Sequence, residues 1–210
     1  MKLYFAPLAC SMSARIALYE ANLPADFVQV DLKHKRTVDG HEFATINPMG
    51  QVPTLELDDG TVITENTAVL QYLAALSSTA ALAPSEPKQR AELHQWLGFI
   101  ATELHKAIFV TLLDSKASEE VKAYARDKVD LRMRALERHL RGRDYLLDKF
   151  SIADAYLTTI LNWASATHVD LTQWPSVAAY QARMMQRPSI RRALSEEFAM
   201  YKEELARRQA

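Results

Sequence analysis

The chain opens Met1-Lys2-Leu3-Tyr4-Phe5-Ala6-Pro7-Leu8-Ala9-Cys10-Ser11-Met12-Ser13-Ala14-Arg15-Ile16-Ala17-Leu18-Tyr19-Glu20, and everything else is read outward from there. Leu3-Tyr4-Phe5 is a short apolar run of strand type. Pro7 ends it. Ser11 and Ser13 offer helix-cap oxygens, and Ile16, Ala17, Tyr19 and Glu20 continue at helical spacing. Cys10, the sole cysteine, therefore falls at or just before a helix N-terminus. Open N–H groups and the positive end of the helix dipole favour a negative sulfur there. An ordinary thiol ionises near ~8.5, and such a position lowers that value. A lone cysteine is commonly an inert small hydrophobe. The strand–turn–helix junction weighs the other way.

Downstream, Phe27-Val28-Gln29-Val30 reads as a second strand and His41 to Ile46 as a short helix ending at Asn47-Pro48-Met49-Gly50. Val52 to Leu57 is a strand, Asp58-Asp59-Gly60 a hairpin turn, and Thr61 to Thr64 the partner strand. A helix follows from Glu65, with Ala68, Val69, Tyr72, Leu73 and Leu76 on one face. The order is βαβ, α, then ββα, a mixed four-stranded sheet. Residues 1–77 form this α/β domain. Residues 78–87 are a small-residue, proline-containing linker, and 88–210 are all helical. In the helical part, Lys88 to Leu113 is one helix and Glu119 to Arg141 another. Residues 151–166 are apolar on nearly every side, as in the centre of a bundle. They open on Ser151-Ile152-Ala153-Asp154, a capping box. Trp174-Pro175 and Arg187-Pro188 start further helices, and the charged tail beyond Phe198 is a frayed or surface helix.

The 210 residues are enough to bury a core without disulfides or metals. A net charge of −1 without a long single-sign run argues against nucleic acid as partner. One cysteine excludes an intrachain disulfide and any multi-cysteine metal site, and leaves a mixed disulfide with a small thiol open. No signal peptide and no membrane-length apolar window is apparent, so a cytoplasmic protein that binds no membrane is expected.

Three stretches point to one place. Cys10-Ser11 lies at a helix start. Gln51-Val52-Pro53 puts a proline at the mouth of a strand. With a cis bond there, the Val52 N–H and C=O would turn outward and pair with an added extended peptide. Glu65-Asn66 begins the next helix, where N–H groups suit a carboxylate and Glu65 suits an ammonium group. Together they describe a pocket for a small thiol-bearing peptide.

These residues resemble the glutathione transferases, most closely the bacterial cysteine-containing beta class. The resemblance rests on Tyr4-Phe5-Ala6-Pro7 through Ala9-Cys10-Ser11, Asn47-Pro48 with Gly50-Gln51-Val52-Pro53, Asp59-Gly60, Glu65-Asn66, Trp96-Leu97, Glu103-Leu104-His105-Lys106, and Phe150 through Tyr156. It implies a thioredoxin-like N-terminal domain followed by an all-helical domain. It also implies glutathione as co-substrate, no metal, and a homodimer. Cys10 would face the glutathione sulfur, with Ser11 and His105 as further catalytic candidates. Lys35, Gln51, Val52, Pro53, Glu65 and Asn66 would hold the tripeptide, and Thr102, Glu103, His105 and Lys106 on the first long helix would close the site, some of these last contacts coming from a second subunit. Phe99, Phe109 and Trp163 would line an apolar pocket for the electrophilic acceptor. Phe5 replaces a tyrosine often found in the family, Asn66 stands where Ser or Gly is usual, and Gly98 where Asn is expected.

The implied activity is detoxifying conjugation of glutathione to electrophilic small molecules, alongside thiol–disulfide exchange through a mixed disulfide on Cys10. The rival readings are a non-catalytic carrier or regulator with the same fold, and a glutathione-dependent dehalogenase or reductase.

Overall fold

The structure is a computed structural model that describes residues 1–77 and 80–209. Ser78 and Thr79, at the start of the expected linker, lie outside the described residues. Packing divides the chain into two compact units. One is residues 1–82 together with the segment from Arg187 onward; the other is Ala83–Gln186.

The first unit is built on a five-stranded sheet with strand order β3-β2-β1-β4-β5. β1 (Lys2–Phe5) lies in the centre, parallel to β2 (Asp26–Asp31) and antiparallel to β4 (Thr54–Glu56). β5 (Val62–Ile63) closes a hairpin with β4. Successive β1 side chains alternate between the two faces of the sheet. Tyr4 packs on one face with Ala6, Val30, Phe43 and Val52. Leu3 and Phe5, both fully buried, take the other. Helix α1 (Met12–Ala21) packs against α2 (Asn66–Leu76), and against α9 (Pro188–Gln209) from the far end of the chain.

The expected four strands are corrected to five. β3 (Arg36–Thr37) is a two-residue edge strand paired antiparallel to Val30 and Asp31. The Asp31 carboxylate accepts the N–H groups of Lys33 and His34, and Lys35 takes a left-handed φ of 56°, which turns the basic segment back into pairing. Two residues among charges carry too little pattern to be read as a strand. The helix expected over His41–Ile46 is only a 3₁₀ turn, Phe43–Thr45. The strand expected from Val52 begins at Thr54.

In the second unit α3 (Pro87–Phe99) runs on as a π-helix, Ile100–Val110, and ends in α4 (Thr111–Leu113). By length and composition this 27-residue helix is apolar enough to cross a membrane, a test that the buried core helix of a bundle also passes. Its apolar residues Leu93, Leu97, Ile100, Leu104, Ile108 and Phe109 are buried, as in the core helix of a bundle. The helix expected over Glu119–Arg141 is two, α5 (Glu119–Asp127) and α6 (Val129–Leu140), separated where the Lys128 N–H makes a tight bond to Ala125 C=O. α7 (Ile152–Leu161) is buried along its whole length, and α8 (Pro175–Met184) follows.

The capping box at α7 is present: Ser151 accepts the Ala153 N–H, and Asp154 accepts the Ser151 N–H. Asp154 also accepts from the Leu146 N–H at 2.9 Å and the Tyr180 hydroxyl at 2.9 Å, so one buried carboxylate ties α7 to α8 and to the preceding loop. Asp154→Ala strands these donors and is expected to destabilise the protein by roughly 2–4 kcal/mol in denaturant unfolding. Gly98 lies in α3 on an exposed face, with nothing within 4 Å of an added Cβ. Gly98→Ala is expected to stabilise by about 0.5–1 kcal/mol in the same measurement.

Candidate functional site

The turn after β1 places the thiol. Leu8 adopts φ 60°, and Ala9 N–H bonds back to Ala6 C=O, so the chain doubles before α1 begins. Ser11 does not cap α1 with its side chain, contrary to the sequence reading. Its buried hydroxyl bridges both backbone groups of Ala6 at 3.3 Å, closing the turn from inside. The amides of Met12, Ser13, Ala14 and Arg15 are all taken by carbonyls of residues 9–11. The first-turn amides of α1 are therefore satisfied within the turn.

Cys10 is half-buried, and its thiol donates to the Val52 carbonyl at 3.3 Å. The Val52–Pro53 peptide bond is cis. Val52 C=O thus faces Cys10, while the Val52 N–H has no hydrogen-bond partner among the described residues. Asn47, buried, holds this segment. Its Nδ2 donates to Gln51 C=O at 2.9 Å and to Thr54 Oγ1 at 3.0 Å, and its Oδ1 accepts the Met49 N–H. Lys35 reaches in from the β2–β3 turn and donates to Gly50 C=O at 2.7 Å. Gly50 has φ 56°, which favours glycine, and a Cβ there would lie 2.7 Å from the flexible Lys35 side chain, which would have to shift.

The third stretch joins the first through Ser13, which the sequence offered only as a helix-cap oxygen. Asn66 donates to Ser13 Oγ at 3.0 Å, and the Ser13 hydroxyl donates to Cys10 C=O at 2.7 Å. The start of α2 is thereby tied to the cysteine turn. Glu65, exposed, holds φ 66° and ψ 120°, a strained conformation for a non-glycine residue. Its carbonyl accepts the amides of Ala68 and Val69, while those of Asn66 and Thr67 have no partner among the described residues. Open helix-start amides therefore lie at α2 rather than at α1.

In the second unit the π-helix carries Thr102, Glu103, His105, Lys106 and Phe109. Thr102 and Lys106 are exposed. Glu103 accepts two N–H groups from Arg132, at 2.9 and 2.7 Å. His105 is buried, with Nδ1 2.7 Å from the Tyr156 hydroxyl and its ring 5.2 Å from that of Trp163. Burial, helped by the Lys106 charge, pushes the imidazole pKa down to about 4. Phe99 and Trp163 are half-buried, whereas Phe109 is fully buried, a core residue rather than an exposed wall.

A thioredoxin-like sheet thus carries a thiol at a helix start, beside a backbone amide and helix-start amides that have no partner among the described residues. The chain belongs to the glutathione S-transferase family: residues 9–76 match the family's N-terminal domain and residues 99–188 its C-terminal domain. Glutathione S-transferase GstA of Escherichia coli O157:H7 is 40% identical over 199 residues, covering 94% of this chain and 98% of that protein. The ternary complex of BphK, a bacterial member, aligns with TM-score 0.91 and 43% identity over 94% of this chain and 99% of that one. A sphingomonad glutathione S-transferase complexed with glutathione gives 0.89 and 41%, over 94% and 98%.

His105 has a folded pKa below its unfolded value, so its contribution to stability is complete above about 6.5 and is lost as pH falls toward 4. An NMR titration is expected to find this imidazole neutral from about pH 8 down to about pH 5; protonation above about pH 6 would contradict the burial argument.

Proposed function

We propose that the protein binds reduced glutathione in the first unit and transfers it to electrophilic small molecules, with disulfide exchange as a second activity through Cys10. The observation that carries this reading is the Cys10 thiol 3.3 Å from Val52 C=O, beside a Val52 N–H left without a partner. An extended tripeptide would pair its backbone with Val52 and bring its own sulfur to the cysteine. The α-carboxylate of its γ-glutamyl end would take the open Asn66 and Thr67 amides, with Glu65 facing the ammonium group. Lys35, Gln51 and Pro53 would frame the opposite end. Ser11 would act by shaping the turn. For Thr102, Glu103, His105 and Lys106, and for an acceptor pocket in 88–210 that includes Phe99 and Trp163, the support is the family resemblance. The same support extends to a homodimer working in the cytoplasm in detoxification.

In conjugation the glutathione sulfur, having released its proton, attacks an electrophilic carbon; the carbon–sulfur bond forms as the leaving group departs with its electron pair. In exchange the Cys10 thiolate attacks a glutathione mixed disulfide, expels the substrate thiolate and holds glutathione as a disulfide. A second glutathione thiolate then attacks, releasing glutathione disulfide and restoring Cys10.

Cys10→Ala, assayed for both reactions, separates the two roles. Disulfide reduction is expected to fall by about 100-fold or more, because the covalent partner is gone, while glutathione remains bound to an affinity resin through Val52 and the start of α2. Undiminished disulfide reduction in this variant would remove Cys10 from the reaction.

A further inference from the structure

The turn that carries Cys10 is held from behind by a residue near the end of the chain. Glu197, in α9 and fully buried, accepts the Leu8 N–H through Oε2 at 2.8 Å and the Arg15 Nε–H through Oε1 at 2.8 Å. Leu8 stands two residues before the cysteine, in a left-handed conformation that non-glycine residues keep only where their surroundings impose it. Arg15, 2% exposed, lies over the Phe5 ring at 4.4 Å and the Phe27 ring at 3.8 Å, so the guanidinium is fixed against the sheet and Glu197 is fixed against the guanidinium. One carboxylate thus spans the turn before the thiol and the helix after it.

We propose that Glu197 is a positioning residue for Cys10, keeping the Pro7–Cys10 turn in the shape that sets the thiol against Val52. The proposal rests on the reading of Cys10 as the thiol that meets glutathione. A carboxylate buried only for packing is a poor choice, since desolvating the charge is expensive and apolar residues fill such space better. Glu197 instead supplies two acceptor oxygens to two donors that nothing apolar could satisfy.

The groups facing it are Arg15 and, beyond it, Tyr19 from α1, with Glu196 and its partner Arg192 from α9. Burial raises the Glu197 carboxyl to about 7, against the opposing pull of Arg15 and the Leu8 N–H. Its charge therefore changes near neutral pH, and a proton on either oxygen weakens that oxygen's hold on its donor. Because the folded pKa lies above the unfolded one, the folded state takes up the proton more readily, and this group does not drive unfolding as pH falls. Loosening of the turn at lower pH is thus distinct from global unfolding.

Glu197→Gln preserves shape but sets an NH₂ against one of the two donors. With glutathione and an electrophilic acceptor at about pH 8, kcat is expected to drop about tenfold with KM for glutathione changed less than about twofold, and the deficit to shrink toward none at about pH 6. Hydrogen exchange over residues 8–14 is expected to quicken about tenfold at pH 8, with the β4–β5 hairpin unaffected. An equal kcat deficit at both pH values, or unchanged exchange over residues 8–14, overturns the proposal. If the variant does not fold, wild-type exchange decides: protection over 8–14, corrected for intrinsic rates, should fall between about pH 8 and about pH 6, and constancy overturns the proposal. If the wild type shows no glutathione-dependent activity, the functional reading fails, while the exchange measurements still decide whether Glu197 holds the turn.

Discussion

Tyr4 is paired with Val28 on one side and Thr54 on the other, and this register of the central strand sets what the first unit can do. β1 and β4 run antiparallel, so the residues that follow Phe5 and those that precede Thr54 leave the sheet at the same end. Cys10 and Val52 are neighbours for that reason, although 42 positions separate them in sequence. A slip of one residue would exchange the two faces of β1, sending Tyr4 toward the helices and Leu3 toward Phe43. The buried rings on both faces exclude that, and the location of the thiol is thereby a consequence of core packing.

Much of this was legible in the residues. The apolar run at Leu3–Phe5, the break at Pro7, the hairpin signal at Asp58-Asp59-Gly60 and the capping box at Ser151–Asp154 each reflect a local rule whose physics is contained within a few neighbours. What escaped the reading depends on residues far apart. The edge strand Arg36–Thr37 exists because a turn returns it to β2, not through any apolar pattern of its own. The serine hydroxyls near Cys10 looked like caps; one closes the turn and the other joins the start of α2, which only the tertiary arrangement reveals. Nothing in Glu196-Glu197 distinguishes a buried ion-pair partner from a charge on a surface helix.

The same contrast applies to charge. The chain is nearly neutral, and most ion pairs, such as Arg134–Asp130, lie at the surface, where each contributes little. Among the described residues, the Arg15–Glu197 pair has both members removed from solvent. Removing one partner's side chain there would strand the other, so the tie between α9 and α1 depends on both residues being present. The short chain terminus contributes to the N-terminal core through that tie.

The π-helical winding of Ile100–Val110 has a genetic corollary. Wide turns of this kind are the product of extra residues accommodated within a helix that continues on either side. Losing a single residue from this segment with its winding unchanged would rotate everything beyond by roughly 100° relative to what precedes it. His105 and Phe109 would then swing away from their buried settings, so this segment tolerates a change of length less readily than a change of side chain at its exposed positions.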